Sequence, residues 1–323
     1  MKEKLINGVE DILRISDSVH ENSLDLLQAD HTLSGIDIAL WDLLGKKLKE
    51  PVYSLLGYKK AFAKLPYASR LFGNTPEETY EKAKQTNAAG YQAVKFGWGP
   101  FGRNGVDKDI AHLKAAREGM GNNAYLMIDA GTIWGENVDA AKERLTPLKE
   151  VNAWWFEEPF INGALSQYKK LSISDPKVPL AGGEGCNNFV QAQAMIDYSG
   201  ISFIQIDAGR IGGITAAKRV ADLAVARNIT YVNHTFTSHL ALSASLQSFA
   251  GIEKDFISEY PVELKLLAQE IGKEKIQPDN NGFIHVPDKP GLGIGVDTEA
   301  CKKYIVEVEI KVKGKDVFYK AEL

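Results

Sequence analysis

Three stretches of the sequence decide the fold of this chain: YLMIDAG (125–131), WWFEEP (154–159) and PLAGGEG (179–185). Each is a short apolar run that ends near an acidic residue. Those acids are Asp129, Glu157 and Glu184, and they are 28 and 27 residues apart. A strand, a loop, a helix and a second loop fill about that length in a (β/α)8 barrel. The spacing therefore predicts three carboxylates on neighbouring strands at the carboxyl-terminal mouth of a barrel.

Three carboxylates at one mouth repel one another unless a cation lies between them. A few carboxylate oxygens that leave coordination positions open suit Mg²⁺ better than Zn²⁺. The alternative is that each acid only caps the next helix or pairs with a lysine. That explanation is adequate for one acid, but three acids in register favour a Mg²⁺ site at Asp129, Glu157 and Glu184.

Composition and charge indicate a globular protein that acts on a small molecule. The chain has 323 residues, 44% of them hydrophobic, and a formal net charge of −4, which speaks against nucleic acid or a membrane surface as a partner. Cys186 and Cys301 form neither a metal-ligand spacing nor a disulfide framework, which fits a reducing compartment. The N-terminus lacks the apolar core of a signal peptide, and no apolar run is long enough to span a bilayer. We therefore expect a soluble, cytoplasmic protein.

Apolar runs alternate with amphipathic stretches through the centre of the chain, a pattern typical of repeated βα units around a parallel sheet. The first helix of this region is marked by Thr75 as N-cap, Pro76 at the first helical position and Glu78 three residues beyond the cap. The eight predicted strands are 65–69, 93–97, 125–129, 154–158, 179–184, 201–207, 229–234 and 256–260.

The two ends of the chain differ from its centre. Residues 1–64 have the pattern of helices with an apolar face, with Gly57 as a stop. The tail carries turn signals in PDNNG and PDKPGLGIG and then two alternating stretches, YIVEVEIKVKG and DVFYKAEL. We predict a barrel over 65–274 and a second domain that is assembled from 1–64 and 275–323.

Asp207 ends the sixth predicted strand and His234 ends the seventh, 27 residues later, so the two side chains can touch across neighbouring strand ends. A carboxylate hydrogen-bonded to one imidazole nitrogen fixes the tautomer and raises the basicity of the other nitrogen. A single histidine at a strand end is more often structural, but the acidic partner favours a general base that then acts as a general acid. His239, five residues later, is the competing candidate for that role.

Two further candidates end the second and eighth predicted strands. Lys95 could carry a proton if burial or nearby cations lower its pKa, or it could be a surface lysine at a loop entry. Glu259 could hydrogen-bond a substrate carboxylate, or it could be a satisfied acid without that role. Trp98 and Trp134 lie just past strand ends, where aromatic side chains either shape a pocket or only pack.

The ordered motifs along the chain are SGIDIALWDLLGK, AVKFGWG, MIDAG, WWFEEP, GGEG, IDAGRIGGIT, VNHT and PGLGIG. Together they resemble the enolase superfamily, specifically its mandelate racemase-like branch, over nearly the whole chain. The resemblance implies an α/β fold: a modified TIM barrel, (β/α)7β, with an α+β capping domain built from both termini. It also implies a Mg²⁺-dependent reaction that begins when a base removes the proton α to a carboxylate.

The resemblance assigns roles position by position. The matched metal ligands, with the first glutamate of FEEP among them, are Asp129, Glu157 and Glu184. Asp207 and His234 match the dyad of the racemase and of the acid-sugar dehydratases, and His234 rather than His239 falls on the family histidine. Glu259 matches the glutamate that hydrogen-bonds the substrate carboxylate. The family is often dimeric or octameric, so a homo-oligomer is expected.

The sequence departs from the family pattern in two places. The family commonly has two basic residues at the end of the second strand, whereas AVKFGWG has one. Two alignments on the family pattern are possible. Counted from Gly90, Lys95 falls on the first basic position and Gly97 falls on the second, which is the position of the usual base. Aligned on the glycine and aromatic residue that follow, Lys95 itself falls on the second position. The family's capping domain also opens with a β-sheet and a mobile lid that precede the first motif of this chain, so we expect an incomplete capping domain and a wetter site.

These observations lead to one expected activity and three alternatives. One acid/base dyad with a single lysine suits the elimination of water from an aldonate or aldarate, giving a 2-keto-3-deoxy acid, because one group can act twice. Racemisation needs a second base on the opposite face. The alternatives are a racemase or epimerase, a cycloisomerase, and a catalytically silent scaffold.

Overall fold

Eight parallel strands form one sheet that curls into a barrel. The computed structural model describes residues 5–23 and 28–318. The barrel strands are β1 (Leu65–Leu71), β2 (Ala93–Gly97), β3 (Tyr125–Asp129), β4 (Ala153–Glu157), β5 (Leu180–Gly182), β6 (Phe203–Ile206), β7 (Thr230–Asn233) and β8 (Ile257–Pro261). Each strand from β1 to β6 pairs with the next one in sequence, and β1 also pairs with β8. This order confirms the predicted barrel and all eight strands.

Helices fill the connections between the barrel strands and also lie at both ends of the chain. At least one helix follows each strand from β1 to β7 before the next strand begins, which gives the (β/α)7β order. None of the helices in the described ranges is long and apolar enough to cross a membrane. The helices are α1 (Val9–Ser23), α2 (Gln28–Leu48), α3 (Val52–Leu55), α4 (Pro76–Ala88), α5 (Val106–Met120), α6 (Val138–Lys142), α7 (Leu145–Glu150), α8 (Leu165–Ser174), α9 (Phe189–Tyr198), α10 (Ile214–Ala226), α11 (His239–Gln247), α12 (Leu266–Glu270) and α13 (Thr298–Lys302).

Local sequence explains where these elements begin and end. Thr75 caps α4 as predicted, because its hydroxyl accepts a hydrogen bond from Glu78 N at 3.3 Å. Gly57 follows the last turn of α3 with a φ of 91°, a value that glycine adopts without strain. Strand β5 ends sooner than predicted, because Gly183 takes a φ of 121°. Glu184 therefore lies in the loop after β5 instead of in the strand.

The alternation of side chains along each strand places the acids inside the barrel. Met127 and Trp155 belong to the apolar cluster that fills the barrel, whereas Ile128 and Phe156 belong to the larger cluster under the helices. Residues two apart in a strand share a face. Asp129 is therefore on the inner face, two residues beyond Met127, and the same relation holds for Trp155 and Glu157.

A side-chain amide joins the two strands at the open seam of the sheet. No backbone ladder connects β7 with β8 in the described part of the chain. Instead, Asn233 at the end of β7 accepts a hydrogen bond from Glu259 N at 2.9 Å, and its Nδ2 donates to the Glu259 carbonyl oxygen at 3.3 Å. This bridge closes the barrel and fixes the height of Glu259 relative to the end of β7.

Elements from both ends of the chain meet beside the barrel. A β-bridge links Pro51 with Gly291, and Asp42 accepts a hydrogen bond from Leu292 N at 2.9 Å. Farther along, a short hairpin pairs β9 (Ile310–Val312) with β10 (Lys315–Phe318). The second predicted tail strand extends over 316–323, and its last five residues lie outside the described range. The domain boundaries at residues 64 and 274 stay predictions.

Helix α2 holds the loop that leads from β6 into α10. The carboxylate of Asp37 accepts hydrogen bonds from the backbone N–H of Thr215 at 3.1 Å and from its hydroxyl. Ser34 Oγ accepts from Gly212 N at 2.9 Å, and Trp41 donates to Thr215 Oγ1 at 2.9 Å. Burial raises the pKa of Asp37 to about 6. These contacts explain the SGIDIALWD motif: it fixes the loop that carries Asp207.

We expect Asp37→Ala to lower the free energy of unfolding by about 1–2 kcal/mol, because α10 loses a side-chain cap at its N-terminus. Urea denaturation at neutral pH measures the change. Asp139→Ala is the matched control, because the Asp139 side chain is 96% exposed and its loss should change stability by less than about 0.5 kcal/mol. Equal stability of Asp37→Ala and wild type would show that this contact does not hold α10.

Candidate active site

A cavity of about 400 Å³ lies at the carboxyl-terminal ends of the barrel strands. It is surrounded by the ends of strands β1, β2, β3 and β8 and by the loops after β5, β6 and β7. Cavities at this end of a barrel collect side chains from several strands, which is why catalytic groups concentrate there. The ionisable side chains that line it are Arg70, Lys95, Asp129, Glu184, Arg210, His234, Glu259, Glu263 and Lys265.

Asp129 and Glu157 are direct neighbours across β3 and β4, and both are buried. Gly131 N donates to Asp129 Oδ1 at 2.7 Å, and the indole N–H of Trp155 donates to Glu157 Oε2 at 2.9 Å. The pKa of Asp129 is raised by burial. Burial, opposed by the charge of Lys95, raises the pKa of Glu157 to about 8. The structure therefore brings together two of the three predicted metal ligands.

Glu184 shares the mouth with these two acids but contacts different cations. Its Oε2 lies 2.9 Å from His234 Nε2, and its Oε1 lies 3.1 Å from Arg210 Nη1. Burial acts to raise the pKa of Glu184, but the charge and hydrogen bond of His234, together with the charges of Lys95 and Arg210, outweigh burial and lower the pKa. In the described ranges, no three His, Cys, Asp or Glu side chains are grouped as ligands of one metal ion. A basic side chain contacts each of the three predicted ligands.

Lys95 lies among carboxylates beneath the cavity. Its Nζ is 2.5 Å from Glu157 Oε1, 3.1 Å from Glu259 Oε1 and 3.5 Å from Asp129 Oδ2. Burial acts to lower the pKa of Lys95, but Glu157 and Glu259 outweigh it and the pKa is raised well above its ordinary value. Held in this way, the ammonium of Lys95 donates to these carboxylates.

The strand register fixes the depth of Lys95 in the barrel. Gly97 is paired with Asp129, whereas Lys95 is paired with Met127, one inward-facing position deeper in the barrel. A side chain at Gly97 would begin 2.9 Å from the Asp129 carboxylate. Lys95 therefore occupies the deeper position, and the position level with the acids is a glycine.

His234 and Asp207 form the predicted pair. His234 Nδ1 is 2.8 Å from Asp207 Oδ2, while Nε2 faces the cavity and Glu184. Burial acts to lower the pKa of His234, but the charge of Glu184 and the bond to Asp207 raise it well above its ordinary value. His239 lies elsewhere: it starts α11 and its ring packs edge-on against Tyr260. The structure thus places His234, not His239, in the cavity.

Glu259 lies at the wall of the cavity between the two basic groups. Its Oε2 accepts a hydrogen bond from Thr235 N at 2.6 Å and is 3.9 Å from His234 Nε2. Burial acts to raise its pKa, but Lys95 and His234 outweigh burial and lower it. Glu259 is therefore the anionic link between Lys95 and the dyad.

Carboxylates outnumber basic groups in the network of ion pairs at the strand ends. The carboxylates are Asp129, Glu157, Glu184, Asp207 and Glu259. The basic groups are Lys95, Arg210 and His234. A set of mostly buried carboxylate oxygens with more negative than positive charge suits a hard divalent cation such as Mg²⁺. The chemistry of this donor set is therefore compatible with the predicted metal.

Sequence reasoning missed two charged groups of the site. Arg210 bridges Glu184 and Asp207, with its Nε 3.6 Å from Asp207 Oδ2. Its position three residues after Asp207, on the same loop, is the signal that could have revealed it. Glu158 is a further buried acid beside Glu157. Burial raises its pKa well above the ordinary value, and the charge of Glu184 adds to this shift.

The two tryptophans past the strand ends have different surroundings. Trp98 lines the cavity, and its side chain is 51% exposed at the rim. Trp134 instead packs against Phe101 and Phe156 and beneath the guanidinium of Arg144. Trp98 can therefore contact a substrate, whereas Trp134 supports the helical layer.

Comparison with known families agrees with this architecture. Residues 78–300 match the family model described as "Enolase C-terminal domain-like". Residues 1–57 match "Mandelate racemase / muconate lactonizing enzyme, N-terminal domain". The chain belongs to the enolase superfamily. Its place in the mandelate racemase-like branch confirms the predicted resemblance.

Individual members of the enolase superfamily show how far the likeness extends. A structure titled predicted mandelate racemase from Rhodobacter sphaeroides is 52% identical, with a TM-score of 0.94, over 98% of this chain and 81% of that one. Arabinonate dehydratase from Saccharolobus solfataricus is 28% identical over 84% of this chain and 71% of the relative. D-galactarolactone cycloisomerase from Agrobacterium fabrum is 28% identical over 84% of this chain and 73% of the relative. Relatives of similar identity thus carry the names of different reactions.

A further enolase-superfamily neighbour bears on the metal. A racemase from Streptomyces coelicolor, solved with bound magnesium, is 25% identical to this chain, with a TM-score of 0.79 over 91% of this chain and 78% of that one. A relative with the same fold therefore binds the cation that the donor set of this site suits.

Proposed function

We propose that this protein is a Mg²⁺-dependent acid-sugar dehydratase, a hydro-lyase. It removes the proton at C2 of an aldonate or aldarate and eliminates the 3-hydroxyl as water, which leaves a 2-keto-3-deoxy acid. The observation that carries this proposal is the pairing of one acid/base dyad with a glycine that lies level with Asp129 at the end of β2. One group that acts twice completes an elimination, whereas racemisation needs a base on each face.

Asp129, Glu157 and Glu184 are the proposed ligands of Mg²⁺. When bound, the cation supplies positive charge to the substrate carboxylate as the α-proton leaves. Lys95 and Glu259 lie beside this position, where the ammonium of Lys95 contacts Glu157 and Glu259. We assign Lys95 an electrostatic role, as a donor to the substrate carboxylate, and not the role of the base, because it lies one inward-facing position deeper in the barrel than Asp129.

His234 is the proposed proton carrier. Asp207 holds the Nδ1 side of the ring, so Nε2 is the atom that faces the substrate and takes the C2 proton. The same Nε2–H then donates to the 3-hydroxyl; the C3–O bond breaks, water leaves and a double bond forms between C2 and C3. The enol that results becomes the 2-keto acid when C3 accepts a proton.

We expect the purified protein, assayed with Mg²⁺ against a panel of aldonates and aldarates, to form a 2-keto acid from at least one of them. EDTA should abolish the reaction, and added Mg²⁺ should restore it. Interconversion of C2 epimers without keto acid would support an epimerase, and lactone formation or opening would support a cycloisomerase, the reaction named in one relative. A protein inactive on every acid would be a catalytically silent scaffold. Cytoplasmic location and homo-oligomeric state stay predictions.

A further inference from the structure

The second glutamate of FEEP is a buried acid that the proposed mechanism does not use. Glu158 is 5% exposed, and its Oε1 has no hydrogen-bond partner in the described part of the chain. Buried carboxylate oxygens nearly always have a donor or a cation as partner. The question raised by Glu158 is therefore which cation or donor its free oxygen accepts.

The backbone turns this residue away from the strand pattern. Continued alternation after Glu157 would place the next side chain in the helical layer. Instead Glu158 takes a φ of 41°, in the left-handed region that costs a non-glycine residue free energy. Two bonds hold it there: Glu158 N donates to Ala181 O at 3.1 Å, and Thr132 N donates to Glu158 O at 2.7 Å. The neighbouring strand β5 and the loop after β3 thus impose this conformation.

The charges that act on Glu158 are those of the site. Besides its sequence neighbour, the carboxylates that interact most strongly with it are Glu184 and Asp129, and His234 is the principal opposing charge. The ammonium of Lys95 contacts Glu157, Asp129 and Glu259 but not Glu158. Glu158 therefore lies within electrostatic range of the proposed metal ligands and, among the described residues, forms no salt bridge with the lysine that contacts them.

We propose that Glu158 is a fourth acidic group of the Mg²⁺ site, which accepts the cation or one of its water ligands. The inference rests on the proposed function, because it assumes Mg²⁺ at Asp129, Glu157 and Glu184. Groups that support a metal through its outer shell change its affinity by about 10–100-fold. Glu158 therefore raises Mg²⁺ affinity, and its unpartnered oxygen is satisfied only in the loaded protein.

We test this with Glu158→Gln, which keeps the shape of the side chain and removes its charge. Isothermal titration with Mg²⁺ should show affinity about tenfold weaker than wild type, and the rise in Tm on adding Mg²⁺ should shrink. Asp255→Asn is the matched control: Asp255 is also buried with an unpartnered oxygen, but it precedes β8 at the opposite end of the barrel. This control should keep the affinity of wild type. If Glu158→Gln does not fold, Glu158→Asp replaces it, with at least threefold weaker binding expected.

The outcomes separate this inference from the proposed function. Unchanged Mg²⁺ affinity in Glu158→Gln, together with lost binding in Glu157→Gln, would overturn the role of Glu158 and leave the metal site intact. A wild-type protein that binds no Mg²⁺ would overturn both. Equal weakening in Glu158→Gln and Asp255→Asn would show a general effect on the fold and would also overturn the role.

Discussion

His234→Asn should lower kcat by about a thousandfold or more while leaving Mg²⁺ affinity within about threefold of wild type, because a positioned acid/base contributes about 10²–10⁴. Asparagine fills the space and can still meet Asp207, but it cannot carry a proton at the position of Nε2. Steady-state assays on the best substrate of the panel and calorimetric titration with Mg²⁺ measure the two effects. Asp207→Asn should also lower kcat severely, since the His234 ring loses the carboxylate that sets its tautomer.

His239→Asn is the matched control for this experiment. His239 is buried like His234 but packs against Tyr260, outside the cavity. Its substitution should change kcat by less than about threefold, because it neither contacts the substrate nor orients the dyad. If His239→Asn were inactive and His234→Asn active, the assignment of the acid/base to the end of β7 would be wrong.

The second large effect concerns the metal. Glu157→Gln should abolish measurable Mg²⁺ binding and turnover together, because it removes a central carboxylate of the proposed ligand set and an ion-pair partner of Lys95. In wild type, millimolar Mg²⁺ should raise the Tm relative to EDTA, since a ligand that binds only the native state stabilises it. Glu157→Gln should show no such rise.

Glu263→Gln controls for loss of charge near the cavity. Glu263 lines the rim but is partnered by Lys82 and Arg70, away from the proposed ligands. It should keep both the Mg²⁺-dependent rise in Tm and the Mg²⁺ affinity. Retention of Mg²⁺ binding in Glu157→Gln would contradict the proposed ligand set.

The sequence was sufficient for the barrel because its signals are local. Alternation within each short strand and the length of one βα unit are properties of neighbouring residues, so Asp129 and Glu157 could be placed at the ends of neighbouring strands in advance. The separation between Asp207 and His234 likewise follows from one βα unit, and the structure places these two side chains in contact.

Other features of the site depend on contacts that a single sequence does not display. The depth of Lys95 in the barrel, one inward-facing position below Gly97, follows from the strand register and not from the sequence. Glu158 could not be foreseen because a residue after a strand is expected to face outward, and only a left-handed φ breaks that pattern. The separate contacts of Trp98 and Trp134 depend on how the loops fold over the helices.

The position of solvent deuterium in the product tests the central claim most directly. With Mg²⁺ in D₂O, a dehydratase that protonates its enol on the enzyme gives a 2-keto-3-deoxy acid with deuterium at C3, as read by proton NMR. This is the result we expect, because the site has one acid/base dyad, and the residue paired with Asp129 on β2 is a glycine. One dyad is sufficient for an elimination, whereas a two-base proton transfer needs a second base. Deuterium at C2 of otherwise intact substrate, with no 2-keto acid from any member of the panel, would contradict the dehydratase assignment.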